Sequence, residues 1–199
     1  MTIVILAAGQ SARMGRQKLL LPLEGSTLIA RAIAAAAAWP TVVVTGPEVA
    51  ATLAEAGVRA VLNDAPERGM RRSLALADAL IDPNEPIAVV PADLPDCDRA
   101  ALARVIDAYD PAIDVVFPRR GERAGHPVIF GPRARAKIAA LADGDTLRLL
   151  RDDPSLQRRV LEVAGDDAFT DIDTPDDYAA RIQRAAQQGS DRRAPSDPT

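Results

Sequence analysis

The stretch Thr2-Ile3-Val4-Ile5-Leu6-Ala7-Ala8-Gly9-Gln10-Ser11-Ala12-Arg13-Met14-Gly15-Arg16-Gln17-Lys18 decides the reading of the fold. Residues 2–7 form an apolar run rich in β-branched side chains, with Gly9 just beyond it, and such a run reads as a strand buried on both faces. A doubly buried strand belongs to a mostly parallel sheet covered by helices. The segment that leaves it carries two glycines and three cations. Its small residues let backbone amides approach an anion, and Arg13 and Lys18 offset charge, a chemistry that suits a nucleoside triphosphate. It is not a Rossmann fingerprint, because Ser11 stands where the second glycine is required. Nor is it a Walker A loop, because five residues separate Gly9 from Gly15 and no Gly-Lys-Ser/Thr follows. The plain alternative is a solvated basic surface loop.

Outward from this loop the pattern alternates. Ser26 is placed to cap a helix in which Leu28 and Ile29 meet Ala32 and Ile33, ending at Trp39-Pro40. Strands are expected at Thr41–Thr45, Arg59–Leu62, Pro86–Val90, Asp114–Phe117, Val128–Phe130 and Arg159–Val163. Helices are expected at Pro47–Ala56, Met70–Ile81, Asp98–Tyr109, Arg135–Leu141 and Thr146–Arg151. Thr174 as cap, Pro175 behind it and Asp176-Asp177 in the first turn make a strong final helix start. This spacing predicts a single-domain α/β fold, a mostly parallel three-layer α/β/α sheet of Rossmann-like form, over residues 1–188. The polar stretch 189–199, rich in Pro, Ser and Asp, reads as a disordered tail.

Composition narrows the function. The 199 residues suffice for one domain and bury roughly 70% of the unfolded surface without metal or disulfide. A net charge of −4 argues against a general nucleic-acid binder, so any anion site is a local feature. One cysteine, Cys97, excludes an internal disulfide framework, and one histidine, His126, excludes a multi-histidine metal site. No stretch approaches the roughly 18 apolar residues of a membrane span, and the start lacks a basic leader region, which leaves the cytoplasm as the expected compartment.

Five segments in order, LAAGQSARMGRQKLLLPLEGSTLI, NDAPERGMRRSL, VVPADLPDCD, GHPVIF and DIDTPDDY, resemble the MobA/MocA-like nucleotidyltransferases, which attach a nucleotide to the molybdenum cofactor. The resemblance spans about residues 2–180 and implies a GT-A-like nucleotidyltransferase fold. It favours the cytidylyltransferase branch, because this chain has Leu6-Ala7-Ala8-Gly9 where the guanylyltransferase branch tends to Leu-Ala-Gly-Gly. It implies Arg13 and Lys18 as catalytic cations on the triphosphate. Nucleotide contacts would fall on Leu6, Ala7, Ala8, Gly9, Gly15, Asn63, Gly69 and Ser73.

Asp93 falls just past the carboxyl end of an apolar strand, where parallel sheets place ligands. Mg2+ takes one or two carboxylates plus substrate phosphates, and the resemblance assigns Asp93 that role; the plain alternative is a turn residue, although Asp96 and Asp98 are better placed as helix caps. By the same resemblance Asp173 is the second metal ligand, with Asp171 its rival. His126 divides between a local hydrogen-bonding group and an acceptor-binding residue, with Arg119, Arg120 and Arg123 supplying cations for an acceptor phosphate. Arg16, Arg71 and Arg72 read as solvated charge. Gly144-Asp145-Thr146-Leu147-Arg148-Leu149 departs from the family's Gly-Asp-x-Gly-Ala-Arg, in a segment that shapes the acceptor side.

The expected reaction is Mg2+-dependent transfer of CMP from CTP to a molybdopterin-type cofactor with release of pyrophosphate. Alternatives are a GTP-using enzyme, another phosphorylated acceptor such as a sugar or polyol phosphate, and a binding-only cofactor chaperone. Oligomeric state and the apo-molybdoenzyme, if any, that takes the product stay open.

Overall fold

The computed structural model describes residues 1–53, 57–165 and 168–191. Strand β1 (Thr2–Ala7) leads through two short 3-10 turns to a small hairpin of β2 (Pro22–Leu23) and β3 (Ser26–Thr27). There follow α1 (Leu28–Ala36), β4 (Thr41–Thr45), α2 (Pro47–Leu53), β5 (Arg59–Leu62), α3 (Met70–Asp78), β6 (Ile87–Pro91) and α4 (Arg99–Ile106). The second half comprises β7 (Val115–Arg120), β8 (Arg123–Ala124), β9 (Val128–Phe130), α5 (Pro132–Arg135), α6 (Arg148–Arg151), β10 (Arg158–Glu162) and α7 (Pro175–Asp191).

Eight strands form one sheet in the order β10-β7-β9-β6-β1-β4-β5, with β8 attached to β7. The pairs β1·β4, β1·β6, β4·β5 and β7·β10 are parallel. Only β9 and β8 run against their neighbours. The fold is thus the expected single-domain, mostly parallel sheet flanked by helices. Side chains alternate along β1, so Ile3 and Ile5 join the layer of α1 and α4, while Val4 joins the layer of α3. All three are wholly buried, each contributing about 1.5–3 kcal/mol relative to exposure.

Several boundaries differ from the sequence reading. Thr27, not Ser26, caps α1, its hydroxyl accepting from the amide of Ala30, because the helix starts at Leu28, directly after the β2–β3 hairpin. Helix α1 ends at Ala36, α3 at Asp78 and α4 at Ile106. The helix expected over 135–141 is split, with α5 stopping at Arg135 and a 3-10 turn at Ile138–Ala140. The buried Arg135 explains part of this: it donates to Asp78 at 2.8 Å and to the Asp82 carbonyl at 2.6 Å, and so is spent satisfying the chain end after α3. Asp98 caps α4 as expected, whereas Asp96 caps nothing and pairs with Arg181. Helix α7 runs through residues 189–191. The expected disorder of 192–199, and the end of the helix expected at 54–56, lie outside the described residues. No helix among the described residues is long and apolar enough to cross a membrane.

Candidate active site

From β1 the chain passes outward to β4 and β5, then returns to β6 on the other side of β1. A crevice opens at the carboxyl ends of strands where the order reverses, here between β1 and β6. The Ala92 amide donates to the Leu6 carbonyl at 3.0 Å and ties these two strand ends together.

The loop after β1 is stitched by its own side chains. Ser11 takes a left-handed conformation (φ 52°), and its hydroxyl donates to Gln17 Oε1 at 3.0 Å while accepting the Lys18 amide at 3.1 Å. Gln17 in turn donates to the Gly9 carbonyl at 3.3 Å and accepts from the Leu19 amide at 3.3 Å. The serine that breaks the Rossmann pattern therefore supplies what the turn needs, a hydroxyl that closes it. Gly15 ends the first 3-10 turn at φ 64°, a backbone role.

Lys18 is the centre of the cluster this loop creates. Its ammonium donates at 2.7 Å to Asp93 Oδ2 and at 2.7 Å to Asp173 Oδ1, and Arg13 reaches Asp173 Oδ2 at 2.9 Å. Four residues from three distant segments, which the sequence singled out separately, thus converge. Burial works to pull the Lys18 pKa down, yet Asp93 and Asp173 outweigh it and leave it above its ordinary value. The hydrogen bond from Lys18 holds Asp173 below the usual carboxylate range. The rival Asp171 lies apart from this cluster, exposed on the adjoining cleft.

Asp173 is aimed by the start of α7. Thr174 and Asp177 exchange a reciprocal cap, the Thr174 amide donating to Asp177 Oδ2 at 2.8 Å and the Asp177 amide to Thr174 Oγ at 3.2 Å. The Asp173 amide joins the same carboxylate at 3.1 Å. Just upstream, the Ile172 amide donates to the Asp93 carbonyl at 3.1 Å, fixing the two acidic segments side by side. Farther along α7, the buried Arg181 donates to Asp96 at 2.7 Å and to Glu24 at 3.0 Å.

Recesses surround the cluster. One of about 310 Å³ is lined by Leu6, Gly9, Arg13, Lys18, Asp93 and Asp173. Another of about 240 Å³ lies over Leu6, Ala8, Gly9, Gly69 and Ser73. Ala7, by contrast, points into the core, and Asn63 is fully buried. Asn63 donates to Ser73 Oγ at 3.0 Å and accepts from Arg72 at 3.1 Å, so it positions Ser73 from behind the recess wall. Arg71 and Arg72 are not free surface charge: they pair with Asp143 and Asp64.

On the other side of Asp93 a cleft of about 640 Å³ contains Arg123, His126, Arg148, Arg151, Phe169 and Asp171. It continues into a recess of about 430 Å³ past His126, Arg148 and Arg151. Desolvation pushes the His126 pKa down to about 4, and its Nδ1 is shielded without a partner, so the ring is neutral near pH 7. Of the three arginines expected beside it, Arg123 lines the cleft and donates to the Phe169 carbonyl at 3.1 Å. Arg120 stacks over the Phe169 ring at 5.4 Å, and Arg119 pairs with Glu162 on the sheet edge. Arg151 and Phe169 escaped the sequence reading because no local pattern marks residues brought together only by tertiary packing.

The fit to a divalent cation rests on the donor set. Asp93 and Asp173 offer hard oxygen donors around one point, and Asp93 Oδ1 is buried with no hydrogen-bond partner. Among the described residues no third His, Cys, Asp or Glu joins them, which leaves room for phosphate oxygens.

No curated protein sequence matches the chain. Among solved structures, Rv0371c from Mycobacterium tuberculosis H37Rv is 30% identical, with a TM-score of 0.80 over 92% of this chain and 96% of that one. A structure described as Rv0371C in complex with manganese matches at 27% identity and a TM-score of 0.76, over 92% and 97% of the two chains. A nucleotidyl transferase from Methanothermobacter thermautotroptrophicus, Mth528, is 26% identical with a TM-score of 0.78 over 94% and 98%. The molybdopterin-guanine dinucleotide biosynthesis protein A of Archaeoglobus fulgidus shares the fold at 16% identity, with a TM-score of 0.76 over 94% and 100%. The profile of the MobA-like NTP transferase domain matches residues 3–166, more than half of the chain, and with the sheet order in agreement this chain belongs to that nucleotidyltransferase family.

Proposed function

We propose that this protein transfers CMP from CTP to the phosphate of a molybdopterin-type cofactor and releases pyrophosphate. The observation that carries the reading is the convergence of Arg13, Lys18, Asp93 and Asp173 at the crevice between β1 and β6. The triphosphate lies against the Gly9–Arg13 backbone, with Arg13 and Lys18 balancing its charge. The base and ribose occupy the recess over Ala8, Gly69 and Ser73. Ala8, where the guanylyl-transferring branch tends to glycine, lines this recess and supports the pyrimidine reading. Asp93 and Asp173 would hold Mg2+; use of a divalent metal is supported by the manganese complex of the Rv0371c relative.

The acceptor enters the large cleft past His126. An oxygen of its phosphate attacks the α-phosphorus, and the bond to the bridging oxygen of pyrophosphate breaks. A phosphate monoester has a second pKa of about 6, so the nucleophile is ionised at neutral pH and needs no protein base. His126, neutral and shielded, with a ring N–H donating to the Val89 backbone, is suited to accept one hydrogen bond at Nδ1, and not to shuttle a proton. The protein's task is alignment and charge stabilisation. When bound, the cation neutralises phosphate charge as the pyrophosphate departs.

The test is pyrophosphate release with Mg2+ and intact molybdenum cofactor, with CTP, GTP, ATP and UTP side by side. Release with CTP supports the reading. Release with GTP alone moves the protein to the guanylyl-transferring branch. Release only with a sugar or polyol phosphate in place of the cofactor replaces the acceptor. Nucleotide binding without release under any pairing leaves a binding-only role.

A further inference from the structure

Resting on the reading that Asp93 and Asp173 hold a divalent cation, we propose that Lys18 is a built-in counter-cation that keeps this pair closed to metal until a triphosphate draws its ammonium away. The geometry points to exchange more than to a static ion pair. Three of the four carboxylate oxygens already face cations: Asp93 Oδ2 and Asp173 Oδ1 take the ammonium at 2.7 Å each, and Asp173 Oδ2 takes Arg13 at 2.9 Å. The two carboxylates and two cations sum to zero charge. A dication entering this cluster alone must displace the ammonium, break two charge-assisted hydrogen bonds, and leave a surplus of positive charge. The Lys18 side chain is only 10% exposed, so the ammonium itself is shielded, while Asp93 and Asp173 stay open to an incoming ion at 21% and 31% exposure.

A triphosphate changes that balance. Lys18 also lines the 310 Å³ recess bounded by Gly9, Ser11 and Arg13, on the phosphate side of the cluster. Its backbone amide is pinned to Ser11 Oγ at 3.1 Å, so the ammonium reaches either set of oxygens by side-chain rotation with the loop left in place. Phosphate oxygens arriving in the recess give Lys18 and Arg13 new partners and free the carboxylates for the metal. Metal and nucleotide binding are then positively coupled, and the coupling is reciprocal. The lysine acts both as a brake on bare-metal binding and as a phosphate ligand, and the metal enters with the nucleotide, not ahead of it.

The test is a Mn2+ titration of the nucleotide-free full chain, following the electron paramagnetic resonance signal of free Mn2+. Wild-type protein is expected to take up Mn2+ weakly, and Lys18→Met to bind it about tenfold more tightly or better. Mn2+ should raise the thermal midpoint of Lys18→Met far more than that of the wild type. Lys18→Gln, one atom shorter than lysine, keeps a hydrogen-bond donor but removes the charge and provides a second variant. Adding Asp93→Asn to either variant should abolish the gain. Equal Mn2+ affinity in wild type and both lysine variants overturns the proposal while leaving the carboxylates as the metal site. No Mn2+ uptake by any of these proteins, with or without a bound nucleotide, removes the metal assignment itself and the proposal with it.

Discussion

Gly125 lies directly beneath Ala168: a Cβ added to the glycine would sit 2.5 Å from the Ala168 carbonyl oxygen. The next residue, His126, donates its amide to that same oxygen at 3.0 Å, so the close approach builds the cleft wall. The Phe169 ring would also be struck, at 2.6 Å. Gly125→Ala is therefore expected to destabilise the fold by about 1–3 kcal/mol through overpacking. Urea unfolding measures this, and an unchanged midpoint would show that the 168–169 segment yields freely.

Asp93→Asn should cut pyrophosphate release by about a hundredfold or more, the scale expected when an electrostatic contact to the transition state is lost. Its Oδ1 has no hydrogen-bond partner to lose, and the isosteric amide preserves packing. Far-UV circular dichroism should match the wild type. Near-full turnover would remove Asp93 from the reaction.

His126 offers a direct probe because it is the sole histidine. Its folded pKa of about 4 lies below the ordinary 6.5, so between these values the unfolded chain binds more protons than the folded one. The stability contributed by the neutral ring is full above about pH 6.5 and is lost as pH falls toward about 4. The single imidazole resonance should stay at its neutral position from about pH 8 to 5. His126→Asn should flatten the stability profile across that window, and an imidazole that titrates near 6.5 would show an open, solvated ring.

Arg181 clamps α7 by pairing with Asp96 and Glu24 while itself buried. Arg181→Ala leaves Asp96 without its cation while Glu24 keeps Arg31, and with both carboxylates about a third exposed the loss should be about 1–2 kcal/mol. Because α7 begins beside Asp173, the same variant should weaken metal-dependent turnover before it unfolds. Denaturation and pyrophosphate release measured together separate the two effects.

Ala8→Gly tests base selection. Removing one methyl group from the recess over Gly69 and Ser73 should shift the CTP-to-GTP ratio of kcat/KM toward GTP by about tenfold, the usual worth of one methylene-sized contact. An unchanged ratio would place base recognition elsewhere.

Much of this architecture is legible in the chain because local chemistry dictates it. The β-branched run 2–7 has only one stable environment, and Thr174-Pro175-Asp-Asp is a helix start wherever it occurs. Asp93 stands out because an apolar strand ends one turn before it. What stayed hidden depends on distant partners. The antiparallel β9 is three residues long, too short for its direction to be written in its own sequence. The family resemblance makes Asn63 a nucleotide contact, and only the fold shows that it is fully buried and donates to Ser73 from behind the recess. Arg72 resembles surface charge, but tertiary packing gives it Asn63 and Asp64. Asp171 and Asp173 differ by two positions, and only the path of the chain decides which one meets Lys18.

The stitching of Ser11 to Gln17 bears on the speed of capture. A loop that is already folded spends none of the ordering entropy that a floppy one must surrender on contact. Encounter with a ligand then resembles docking onto a preformed template, with its rate governed by diffusion and by how often the approach is correctly oriented.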